Sequence, residues 1–260
     1  MFSYAISDVK RTVAMLPVAF YFARSDMKAR YQRSVLGPLW LVLGTAIGVT
    51  GLGLLWSVLL HSNRAQFIPS LTVGLVVWQF ISGTVIESTR TFTNNWQLIR
   101  NLSIPFGFYP TQLIMRQLVN FGHNALVIIA VLLIYPPHVG MAQWLILPGL
   151  LLLIGNLWWV ALVLGMLGAR FRDLEPLIGA FMPLLFFLTP VIYRPDQLGI
   201  KAALAWVNPF TWLITVLRDP IQGTVPAAFV YLCATGLMVA GWLFAMWLLQ
   251  SRHKRIAFWV

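Results

Sequence analysis

From Ser34 to Leu60 the chain carries no Asp, Glu, Lys or Arg, and five further predominantly apolar runs follow it, at about 67–86, 108–135, 144–167, 177–192 and 227–249. The 26 residues from Val35 to Leu60 span about 39 Å as a helix at 1.5 Å per residue. That exceeds the roughly 30 Å hydrocarbon core of a bilayer, so the segment tilts or protrudes. The composition agrees: 59% of residues are hydrophobic and 10% charged, against about 25% charged in ordinary soluble domains. The fold class is an all-α polytopic membrane protein with six transmembrane helices.

The cations give the orientation. Of the 18 Lys and Arg residues, all but Arg64, Arg194, Lys201 and Arg218 fall on the same side as the N-terminus. Lys and Arg accumulate on cytoplasmic loops, which puts both termini in the cytoplasm. The net charge of +11 does not point to nucleic acid, because these cations lie between apolar runs and not on a basic soluble face. Cys233, the single cysteine, reads as a small packing residue. His61, His123, His138 and His253 have no partners at metal-ligand spacing, and no metal site is expected.

Residues 1–33 form an N-terminal cytoplasmic segment ahead of a membrane domain, 34–260. The run 12–23 resembles the core of a signal peptide, but Asp8 precedes the basic pair Lys10 and Arg11 and Pro17 interrupts the run. Ile6, Val9, Val13, Leu16, Phe20, Ala23 and Met27 recur every three or four residues, the stripe of an interfacial amphipathic helix. A short buried helix packed on the spans would carry the same stripe. Gly37 and Pro38 mark where the first span begins. Gly44 and Gly48 form a GxxxG pair, a common feature of membrane helices and weak support for a helix contact.

Between the second and third spans, residues 88–105 are polar, with Phe92, Trp96 and Ile99 at amphipathic spacing; a short surface helix and a solvated loop both fit. The third span carries Arg116, Asn120, His123 and Asn124, groups that in lipid face other helices or water. Trp206 to Leu217 is a 12-residue apolar run interrupted by Asn208 and Pro209. It is too short to cross, a length that suits a re-entrant or interfacial segment.

None of the seven acids lies in the middle of an expected span, which disfavours an ion-driven carrier. There is no GxxxxGK[ST] phosphate loop, so active transport would draw its energy from another polypeptide. No serine, histidine and acid set has nucleophilic spacing. The mark of a membrane enzyme acting on lipid-linked substrates would be acids or histidines clustered near one membrane face. The 12 tryptophans fit interfacial belts and helix packing, or the lining of a glycan path.

Three motifs in order, KARYQRSVLGPLW (28–40), GARFRDLEPLI with FFLTPVIY (168–178 and 186–193), and NPFTWLITVLRDPI (208–221), resemble the permease subunits of polysaccharide-exporting ABC transporters of the ABC-2 type, which serve O-antigen, capsule and teichoic-acid export. The resemblance implies a channel-forming subunit without its own ATPase, in the bacterial inner membrane. It implies a homodimer joined by two copies of an ATP-binding subunit that holds ATP and Mg. The cargo it implies is undecaprenyl-diphosphate-linked polysaccharide moving from cytoplasm to periplasm, O-antigen foremost. A coupling helix at about 88–105 would dock into the ATPase through Phe92, Trp96, Ile99 and Arg100. Re-entrant helices between spans five and six, about 195–223, would close the outer end, with Asn208, Pro209 and Arg218 holding the gate. Lys28, Arg30 and Arg33 stand where a diphosphate head would arrive, and Arg binds phosphate oxygens bidentately; ordinary positive-inside topology explains the same residues. Competing readings are an ABC exporter of another cargo, such as a lipid or drug, and the membrane enzyme.

Overall fold

The computed structural model describes residues 2–32, 34–59, 63–195 and 202–260, and no strand occurs among them. Helices α1 (Ser3–Ala14) and α2 (Leu16–Tyr31) precede the bundle. The bundle comprises α3 (Leu39–Leu59), α4 (Arg64–Ser88), the short α5 (Trp96–Asn101), α6 (Phe108–Ile134), α7 (Ile146–Arg170), α8 (Leu174–Leu188), α9 (Ala202–Val207), α10 (Pro209–Ile221) and α11 (Ala228–Trp259). Among the described residues, five helices are long and apolar enough to cross a membrane: α3, α4, α6, α7 with the turn before it, and α11.

Helix ends follow local chemistry. Gly37, at φ +53°, adopts the left-handed conformation that glycine reaches without steric cost, and α3 starts two residues later. Asn208 caps α10 by accepting a hydrogen bond from the Phe210 amide at 3.0 Å, with Pro209 at the first helical position, where its missing N–H costs nothing. The region of the expected fifth span, 177–192, holds α8, which begins earlier, stops at Leu188 and is not among the five helices long enough to cross. Thr189 turns extended because the ring of Pro190 clashes with a helical predecessor. At 15 residues, α8 covers about 22 Å, short of the roughly 30 Å hydrocarbon core, and turns and bends follow it at 189–193. The last helix runs ten residues past the expected end at Leu249, to Trp259.

The core is built around α4, most of which is buried against α3, α6, α7, α8 and α10. Trp78 on α4 packs on Phe186 of α8 and Phe210 of α10, with ring centroids 5.9 and 5.7 Å away. At the far end of α4, a Cβ on Gly168 of α7 would sit 2.0 Å from the Thr89 carbonyl oxygen, so only glycine permits that approach. Both chain ends lie at this end of the bundle: the Tyr4 amide donates to Gln250 Oε1 at 3.0 Å, and Tyr4 stacks on His253 at 3.8 Å. The turns around 63–66, 135–138, 192–194 and 222–224 meet at the opposite end and line one cavity of about 630 Å³.

The stripe expected on the N-terminal segment is divided. Pro17 helps break it into two helices, and Ala5, Asp8, Thr12, Ala19, Ala23 and Met27 face the protein. Ile6, Val13, Leu16 and Phe20 are exposed. The segment thus packs on the bundle with one face and presents apolar side chains outward on the other.

Candidate functional site

Three polar groups meet at the end of the bundle that carries α1 and α2. Arg116 of α6 lies between Asp26 of α2 and Glu87 of α4, with N–O distances of 3.2 and 2.6 Å. Gln112, one turn earlier on α6, donates to Asp26 at 2.8 Å. Arg30 reaches to 3.8 Å from Glu87. These residues line a cleft of about 630 Å³ between α2, α4 and α6, where two acids, Asp26 and Glu87, face three cations, Arg30, Arg90 and Arg116. The sequence marks Arg116 as part of a polar face on the third span, but nothing local to Asp26 or Glu87 signals a junction of three helices. Of the three headgroup candidates, Arg30 lines this cleft and Lys28 is exposed on α2; Arg33 lies outside the described residues.

A second junction was also missed. Asp8 of α1, almost wholly buried, accepts hydrogen bonds from the Phe106 and Gly107 amides, each at 2.8 Å. These are free donors at the start of α6, where the helix dipole favours an anion. Arg11 donates to the Ser103 carbonyl at 2.5 Å. Burial pushes the Asp8 carboxyl above its ordinary value, opposed by the two amides and by Arg11. The effect is a strap from α1 onto the segment that joins α5 to α6.

The surface segment at 88–105 is a helical turn at Thr93–Asn95 followed by the six-residue α5, not one continuous helix. The tighter turn shifts the phase, so the expected stripe splits. Phe92 is fully buried against Phe106 and Tyr109, at 5.9 and 5.7 Å, and anchors the segment where an outward docking role was expected. Ile99 also packs inward. Trp96, 45% exposed, and Arg100, whose guanidinium stands 5.5 Å over the Trp96 ring, face outward. They share a groove of about 610 Å³ with Phe171, Arg172 and Glu175 of the α7–α8 turn. Arg90 pairs with Glu175 across it.

At the opposite end, Arg218 of α10 is 1% exposed and donates to the Pro190 carbonyl at 2.7 Å and to that of Tyr193 at 3.4 Å. Asn208 donates to Thr189 Oγ1 at 2.9 Å. Both ends of α10 are thereby tied to the segment that follows α8. The deeper tryptophans pack helices: Trp158 stacks on Trp242 at 4.3 Å and donates to Thr111 at 2.9 Å, while Trp159 fills the space beside Gly241. No group of histidine, cysteine and acid side chains capable of holding a metal occurs among the described residues.

The family model described as ABC-2 type transporter matches residues 18–221. One similar protein, the O-antigen export system permease protein RfbA of Klebsiella pneumoniae, is 26% identical over 200 residues, 75% of this chain and 76% of its own length. A protein of the same description from Myxococcus xanthus is 28% identical over 199 residues, 73% and 74% of the two chains.

Proposed function

The chain belongs to the ABC-2 type transporter family, and from that premise we propose that it is the channel-forming permease subunit of an ATP-driven exporter of lipid-linked polysaccharide, O-antigen foremost. The observation that carries this reading is similarity along about three-quarters of the chain to O-antigen export permeases. The cargo is carried on undecaprenyl diphosphate and moves from cytoplasm to periplasm. Two copies of the chain enclose the path in the bacterial inner membrane, and two copies of a separate ATP-binding subunit supply ATP and Mg. Both termini are cytoplasmic, in keeping with their meeting at one end of the bundle. The fifth of the six spans is α8.

Trp96 and Arg100 present the coupling surface, and Phe92 holds it to the core. A re-entrant pair, α9 and α10, closes the outer end, with Asn208 and Arg218 as its ties and Pro209 starting its return. Lys28, Arg30 and Arg33 meet the diphosphate as it reaches the inner leaflet. Deleting the gene tests the whole reading: lipid-linked glycan then accumulates inside the cell and surface polysaccharide disappears. Normal surface polysaccharide in the deletion strain contradicts it.

A further inference from the structure

One turn along α6 from Arg116, the polar face continues into a groove of about 340 Å³ between α3, α4 and α6. Its lining combines four amides, the Thr45 hydroxyl and aromatic rings with the aliphatic Leu41 and Val76, and no charged residue is among them. Asn124 donates to Gln79 Oε1 at 2.8 Å, and the Thr45 hydroxyl stands 3.1 Å from both the Gln79 and the Asn124 side-chain oxygens. Asn120 donates to Gln117 at 3.1 Å. Trp40, 60% exposed, and Phe121 supply ring faces. On α3, a Cβ added to Gly44 would meet nothing within 4 Å, so the groove is open along that wall.

Amides facing hydrocarbon are costly, and polar groups within spans face other helices or a water-filled path. Thr45, Gln79 and Asn124 tie α3, α4 and α6 together. But Asn120 pairs with Gln117 within α6 itself, so that pair is not used in helix cohesion, which Phe80 and Phe121 supply with ring centroids 5.4 Å apart. Carboxamides and hydroxyls, each a donor and an acceptor, beside aromatic faces match the hydroxyls and C–H faces of a sugar ring. With no cation in its lining, the groove offers a phosphate no charge-assisted hydrogen bond. We infer that this groove is the contact track for the uncharged sugar units of the cargo, following the inner cleft along α6. The inference rests on the export function proposed above.

The test uses the full chain with Cys233→Ala and Asn120→Cys, in inverted membrane vesicles without ATP, treated with a water-soluble maleimide. Vesicles from cells that make the lipid-linked polysaccharide should label several-fold more slowly than vesicles from cells lacking its first sugar transfer. Leu133→Cys, on the exposed face of α6, should resist the reagent in both. Gly44→Leu, which fills open space, should lower export while the protein level holds. Equal labelling with and without cargo overturns the track, as does complete protection in both, which would mean a groove sealed by lipid or a second copy. A deletion strain that accumulates no lipid-linked glycan overturns the export reading itself, whatever the labelling shows.

Discussion

Replacing Asp8 by Ala removes both acceptors for the Phe106 and Gly107 amides and frees α1 from the start of α6. Hydrogen bonds to a charged group contribute about 1.5–3 kcal/mol each, so the pair is worth about 3–6 kcal/mol before opposing effects. Burial, which raises the carboxyl above its ordinary value, works against the ionised side chain and leaves a net loss of about 3 kcal/mol, toward the low end of that range. For a chain of this size each kcal/mol moves the unfolding midpoint by about 2–4 °C, which predicts a fall of about 6–12 °C. The assay is thermal unfolding of the detergent-solubilised protein, followed by size-exclusion chromatography, with limited proteolysis of residues 96–107 in membranes. Asp8→Asn, which keeps one acceptor and loses the other, should fall between wild type and Asp8→Ala. A midpoint unchanged in Asp8→Ala, with the segment equally resistant to protease, would refute the strap.

The remaining predictions concern the transport parts. Trp96→Ala and Arg100→Glu change exposed side chains, so both should insert at normal levels yet lose export while the ATPase continues to hydrolyse ATP; unaltered export in both moves the docking surface elsewhere. Arg218→Leu and Asn208→Ala should raise ion leak across planar bilayers, since each cuts a tie between α10 and the end of α8, and an unchanged leak counts against a gate there. Arg30→Ala should lower surface polysaccharide at normal permease levels; wild-type amounts would remove Arg30 from headgroup binding.

The long spans were legible because uninterrupted apolar runs admit few folds, and the starts and stops at Gly37, Asn208 and Pro190 follow from backbone chemistry readable in single residues. What escaped depends on helix phase or on long-range pairing. Phe92, Trp96 and Ile99 suit one amphipathic stripe only if the helix is continuous, and the turn at 93–95 breaks that condition. Asp8 looked like a charge that spoils a signal peptide; its partners lie about a hundred residues away, and they are backbone amides that carry no sequence mark. Arg116 stood out as a cation on an apolar span, but its meeting with Asp26 and Glu87 depends on the rotation of three helices about their axes, which hydrophobic periodicity does not fix. The tryptophan question divided by position: Trp158 and Trp159 pack helices, whereas Trp40 opens onto the amide groove.

The most direct test of the account is reconstitution of this chain with its ATP-binding subunit in vesicles bearing lipid-linked polysaccharide on the outer leaflet, on the same side as the ATPase. ATP should move the glycan to the lumen, where an externally added glycosidase no longer reaches it, and a non-hydrolysable analogue should not. Glycan that remains fully accessible while ATP is hydrolysed by an intact complex would contradict the central claim.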